Sequence, residues 1–310
     1  MTTLTDAMGE TPLETRAVAP APLAPTRPLY WSLRRELWEY RSLWIAPIIA
    51  AGVALFGFSL SAIHLREHRF NAMALDPARR ALVMTLPYDF AAMAVIFTGV
   101  IVGAFYCLGA LHNERRDRSI LFWKSLPVSD LTTVAAKAIV PLVVLPLIVL
   151  AVVLATLVVM LALSTVILIA NGMDPATTWT HVPFARMPLV AAYGVAVLAL
   201  WYAPIWGWLL LVGGWARRAP FLWAVLPPLA LCVVERIAFN TSHVGSLLLY
   251  RLGGYTDAFT IRMHGKLPAE ALPGLDPLAF VSTPGLWVGL AFAAAFLAAA
   301  VWLRRYREPV

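Results

Sequence analysis

Residues 138–166 read AIVPLVVLPLIVLAVVLATLVVMLALSTV, without one charged side chain. That exceeds the roughly 20 apolar residues a helix needs to cross a bilayer. The run is long enough to tilt, or to continue as helix beyond the lipid. Composition agrees: 61% of the chain is hydrophobic, 13% is charged and the mean hydropathy is +0.77. An ordinary soluble domain is roughly 45–50% apolar.

Five further runs of the same kind lie near 43–63, 91–111, 189–212, 221–239 and 285–303. In lipid the backbone must satisfy its own polar groups, which leaves helices or closed barrels. Barrel strands need about 10 residues of strict alternation, and nothing in this chain alternates that way. The expected fold class is an all-α polytopic membrane protein with six transmembrane helices and an N-terminal amphipathic interfacial helix.

Cations set the expected orientation. With the N-terminus inside, the inner segments hold Arg27, Arg34, Arg35 and Arg41, then Arg115, Arg116, Arg118, Lys124 and Lys137, then Arg217 and Arg218, then Arg304, Arg305 and Arg307. These are short segments beside spans, where the positive-inside rule acts. Arg66, Arg69, Arg79 and Arg80 in the first outer loop run against it. The expectation is N-in and C-in, in the cell inner membrane, multi-pass.

Residues 1–28 are rich in Pro, Thr and Ala, without the apolar core of a secretory signal, and read as a disordered cytoplasmic tail. Residues 29–310 form the six-span domain. Cys107 and Cys232 fall in or beside apolar runs and give neither a disulfide framework nor a metal spacing. The net charge of +7 is spread over span ends, as insertion requires, so no nucleic-acid binding is expected.

The stretch PLYWSLRRELWEYRSLW, 28–44, places Tyr30, Leu33, Leu37, Tyr40 and Trp44 on one side of a helical wheel. Arg35 and Glu39 face the other side, with Arg34 and Arg41 at the boundary. With Trp31 and Trp38 this suits a helix lying on a membrane surface, or else an extension of the first span.

HNERRDRSILFWKSLPVSD, 112–130, links the second and third spans. Five successive charges, Glu114 to Arg118, would keep its first part in water. Ile120, Leu121, Phe122 and Trp123 form an exposed aromatic patch. Pro127 disfavours helix at Leu126, and Ser129 before Asp130 is a helix start with an acidic first turn. Helix, turn, helix is expected; a plain stop-transfer signal is the alternative.

This order of parts resembles the type-2 permease subunits of ABC exporters, from about Tyr30 onward. The likeness is carried most specifically by Glu114, Arg115, Arg116, Ser125, Leu126, Pro127, Val128 and Ser129. The resemblance implies that Glu114 to Ser129, with Trp123, forms gate and coupling helices resting on a separate cytoplasmic ABC ATPase. It also implies a pathway shared with a second, identical or different permease. The chain has no G-x-x-x-x-G-K-[ST] loop, and Gly265-Lys266 is followed by Leu267. ATP work falls to the partner, the chain is not itself an enzyme, and no cofactor of its own is expected.

In the outer loop, 235–283, the clump Leu247–Tyr250 before Gly253-Gly254 is too short to span and suggests a re-entrant or interfacial helix. The resemblance implies the same, as a cap on the exit path; a structured loop is the alternative. Glu235 and Arg236 at the end of the fifth span pair with each other, mark the boundary, or touch substrate. No series of buried carboxylates and lysines reads as a proton relay. Pro141, Pro146, Pro204, Pro227 and Pro228 can break or kink spans three to five.

Two other chemistries present themselves. His64, Glu67 and His68 match H-x-x-E-H, whose histidines hold zinc one helical turn apart with the glutamate as base. That would make the chain a membrane-embedded metalloprotease, though Arg66 and Arg69 oppose a dication and a third ligand is needed. Gly57-Phe58-Ser59-Leu60 looks like a fragment of an intramembrane serine protease, without a base at hand. A non-transporting membrane anchor is the remaining alternative to the permease.

Overall fold

The computed structural model describes residues 26–61, 75–117, 128–172, 174, 176, 183–260, 263–264, 267–268 and 274–306. In chain order its helices are α1 (Thr26–Glu39), α2 (Ser42–Ser61), α3 (Pro77–Arg116), α4 (Asp130–Ala170), α5 (Met187–Trp201), α6 (Ala203–Trp215), α7 (Pro220–Phe239), α8 (His243–Gly253), α9 (Pro277–Ser282) and α10 (Pro284–Tyr306). After α8 a 3-10 turn, Gly254–Ala258, leads to β1 (Phe259–Thr260), β2 (Met263–His264), β3 (Leu267–Pro268) and β4 (Gly274–Leu275). These strands pair antiparallel, β1 with β4 and β2 with β3, and build no layer. The protein is an all-α polytopic membrane protein.

Among the described residues five helices are long and apolar enough to cross a membrane, and α5 and α6 pass the same test as a pair bent by 48° at the break between them. The bend falls at Tyr202, with Pro204 at the start of α6. A proline there lacks the N–H that would continue the helix and fits the first turn of a new one. In α4, Pro141 lies in a π turn, Val140–Val144. The missing N–H of Pro146 falls in the turn that follows. Pro47, Pro87, Pro227 and Pro228 are carried inside continuous helices.

The sequence-based boundaries hold for most spans and fall short for α3. Its 40 residues, against an expected 91–111, give a rod of about 60 Å at ~1.5 Å per residue. Hydropathy registers only the middle, because Arg79, Arg80 and Asp89 at one end and Glu114 to Arg116 at the other are helical but polar.

The core lies where α3, α4 and α6 meet: Val95, Val149, Val153, Leu145 and Leu210 are buried there. Lipid offers no hydrophobic drive between helices, so small residues that let backbones approach carry the packing. Gly213 of α6 is the sharpest case: a Cβ there would lie 2.7 Å from the Leu108 carbonyl oxygen of α3. That contact sets the level at which the ends of α3 and α6 meet.

Candidate functional site

The starts of α2, α4 and α7 and the ends of α1, α3, α6 and α10 gather at one end of the bundle. Four of these elements are joined there by ionised side chains. Glu36, Glu114 and Lys137 are only 2%, 3% and 1% exposed, and Arg304 is also buried. A buried charge persists only when paired and hydrogen-bonded. Glu114, near the end of α3, accepts from Arg35 of α1 at 2.9 Å and from Arg304 of α10 at 2.6 Å. The ammonium of Lys137 in α4 lies 3.1 Å from Glu114 and donates to Glu36 at 2.7 Å.

The remaining valences are filled as well. Tyr106 of α3 donates to the second oxygen of Glu36 at 2.9 Å, and the Arg304 Nε donates to Asp130 at 3.0 Å. Glu39 engages Arg35 at 3.2 Å on the exposed rim. Three cations, Arg35, Lys137 and Arg304, therefore face three inner carboxylates, Glu36, Glu114 and Asp130. Burial works against the charge of Arg35, but Glu114 and Glu36 outweigh it and raise its pKa above the ordinary guanidinium value. Burial first, then the charge of Glu36, pushes the Tyr40 phenol upward.

Helix ends account for the placement. Arg304 is in the last turn of α10 and Asp130 in the first turn of α4, each favoured by the helix dipole. Glu114 sits at the unfavourable, C-terminal end of its own helix, where its cation partners compensate. Next to it, Arg115 is buried and donates to the carbonyl of Gly214, and His112 Nδ1 lies 3.1 Å from the Ala216 carbonyl. A carbonyl only accepts, so Nδ1 carries the proton. Both side chains thus cap the open carbonyls at the end of α6.

Several expectations change here. The charge run does not keep its first residues in water: Glu114 and Arg115 are buried, and only Arg116 and Asp117 pair in the open, at 3.1 Å. Arg35, expected on the side of the wheel opposite the apolar residues, reaches Glu114, while Glu36, which hydropathy did not single out, is the most buried described side chain of α1. A series of buried carboxylates and a lysine does exist, at the end of the bundle. Trp31 and Trp38 are exposed with Arg34 over both rings, at 5.3 and 5.6 Å; Leu37 is half-buried and Arg41 exposed. Ser129 caps α4 as expected, accepting from the Thr132 N–H at 3.1 Å. Trp123, Leu126 and Pro127 lie outside the described residues, as do His64, Glu67 and His68.

The opposite end is built differently. Glu235 does not pair with Arg236; it accepts from Thr241 Oγ1 at 2.8 Å and from the N–H groups of His243 and Val244 at 2.6 and 2.7 Å, serving as a distant cap for α8. Arg251 at the end of α8 donates to the carbonyls of Trp201 and Gly285, at 3.2 and 2.8 Å, and lies 4.6 Å over the Trp201 ring. Trp201 and Tyr202 donate back to the carbonyls of Arg251 and Leu252, at 2.9 and 3.0 Å. The short helix expected from the Leu247–Tyr250 clump thus docks on the bend of the fourth span.

Between bend and π turn runs an apolar crevice of about 40 Å³, lined by Gly99, Pro141, Leu145, Tyr202 and Trp206 among others. The Trp206 indole N–H is buried without a partner among the described residues. No group of three or more His, Cys, Asp or Glu able to hold a metal occurs among the described residues. Glu114 is taken up by its cations. Ser59 Oγ donates to its own helix at Leu55, and Cys107 and Cys232 are free thiols. No family model, no curated protein and no solved structure matches the chain.

Proposed function

We propose that this chain is the membrane-spanning permease subunit of an ATP-binding cassette exporter, coupled to a separate cytoplasmic ATPase. The observation that carries this reading is the ionic knot. The link 117–129 is held at both ends by it: Glu114, just before the link, binds α1, α4 and α10, and Asp130, just after it, binds α10. A push on the link is therefore delivered to four helices together rather than to one flexible loop.

In this reading the ionic end faces the cytoplasm of the cell inner membrane. Arg34, Arg41, Arg115, Arg116, Arg217, Arg218, Arg304 and Arg305 all gather there, as the positive-inside rule asks. The exposed Trp31 and Trp38 with Arg34 suit the headgroup layer, so α1 lies along the membrane as a stiff foot. Two such chains, or one with a paralogue, line the pathway, and ATP-driven closure of the ATPase pair moves the feet. At the opposite end, α8 and the bend at Tyr202 form the cap that yields.

The test is a pull-down from native membranes with a tagged chain. The native chain should bring a nucleotide-binding subunit in stoichiometric amount, and Trp123→Ala with Leu126→Ala should weaken that docking by tenfold or more, as loss of interface anchors does. If docking and transport both survive the double change, the assignment of the link is wrong.

A further inference from the structure

The ionic end carries a second charged feature, separate from the knot. The last turn of α3 and the link from α6 to α7 flank a partly open cavity of about 410 Å³ lined by His112, Arg115, Arg116, Arg217 and Arg218. Among the described residues no carboxylate lines it and none pairs with Arg217 or Arg218. Asp117 engages Arg116 from outside the lining. Insertion asks only for cations near span ends. Here they converge from two elements on one space.

The cavity wall is fixed. Arg115 is buried and anchored on Gly214, and His112 on Ala216. Opposite them the chain reverses within residues 216–219, closing on Ala219 at φ 48° and ψ 59°. That left-handed conformation is costly for a residue with a Cβ, and it leaves Arg217 and Arg218 on the cavity lining. A single water needs about 15 Å³ by this measure, so the space admits a substituted phosphate. Guanidinium forks match phosphate oxygens in pairs.

We propose that this cavity binds a phosphate-bearing anion, with the headgroup of an anionic phospholipid as its occupant. The flanks of the link point to lipid. Trp215 and Trp223 stand edge to face with centroids 4.8 Å apart, and both are exposed, as are Phe221 and Leu222. Indoles of this kind sit at headgroup level, beside apolar side chains that an acyl chain covers. The assignment stands independently of the permease reading.

The experiment uses the full chain, purified with whatever subunit accompanies it, in nanodiscs of mixed dioleoyl phosphatidylglycerol and phosphatidylcholine. Retained lipid is measured by native mass spectrometry. The native chain should hold phosphatidylglycerol in preference, and Arg217→Gln with Arg218→Gln should weaken that retention about 30-fold, at roughly a fivefold effect per arginine near the surface. Both side chains are exposed, so the fold tolerates the change. Arg305→Gln, an exposed cation at the same end but outside the cavity, should leave retention as it is. Displacement of the lipid by a few millimolar inorganic phosphate would support the same phosphate chemistry with a soluble source; resistance to it would support the headgroup. Undiminished retention in the double variant, or an equal loss in Arg305→Gln, overturns the site.

Discussion

The two ends of this bundle hold their helices by opposite means. At one, charge faces charge: Glu114 alone gathers Arg35, Lys137 and Arg304 from three other helices. At the other, the Arg251 guanidinium is held by backbone carbonyls and an indole face, and α8 buries none of its side chains. Buried ion pairs add little net stability over apolar packing, but breaking one leaves an uncompensated charge. The ionic end therefore resists partial rearrangement and moves as a unit. Hydrogen bonds to carbonyls are each worth about 1 kcal/mol net, so the α8 end can release locally.

The comparison breaks most visibly at Glu114. Glu114→Gln leaves three cations facing two inner carboxylates, with Lys137 held only by Glu36 and Arg304 only by Asp130 among the described residues, and should cost about 3–5 kcal/mol of stability, read as a fall in the unfolding midpoint in mixed micelles. A loss below about 1 kcal/mol would mean that water reaches the cluster. Arg251→Gln should cost about 1–3 kcal/mol, from two hydrogen bonds and one cation–π contact. That loss should be local: α8 gains protease sensitivity while the global midpoint barely moves. A global shift as large as that of Glu114→Gln would erase the distinction between the ends. Smallest is Trp206→Phe, which removes a buried N–H without a partner among the described residues but also some packed volume, so the two effects should cancel to within about 1 kcal/mol. A loss well beyond that in the same unfolding assay would show that the indole is held more tightly than an unpartnered donor is.

Much of the fold was legible because membrane spans are a local property. Uncharged runs of sufficient length can do little else, and Pro204 and Ser129 mark a bend and a helix start that depend only on neighbouring residues. The knot was not legible, because all but one of its cross-helix pairs, Lys137 with Glu114 being the exception, lie 70 to 190 residues apart and a helical wheel ranks apolar faces rather than charged ones. On the wheel of α1, Glu36 is one polar residue among several, and only the approach of α3 and α4 makes it interior. A usable signal did exist: carboxylates, Glu36, Glu114 and Asp130, recur among the cations at the same end of α1, α3 and α4. The π turn at Val140–Val144 was foreshadowed only by the five-residue spacing of Pro141 and Pro146. The basic cavity needed the tight link at Ala219, which no residue type announces.

The most direct measurement is hydrogen exchange on the detergent-purified chain, comparing peptides over 108–116, 131–138 and 298–305 with those over 243–256. If the ionic end is one unit and the α8 end opens on its own, the first group should exchange at least about 100-fold more slowly, a gap of roughly 3 kcal/mol in opening free energy. Glu114→Gln should collapse that gap from the ionic side. Equal exchange at both ends of the native chain, or faster exchange at the ionic end, would contradict the division of the bundle into a rigid foot and a yielding cap.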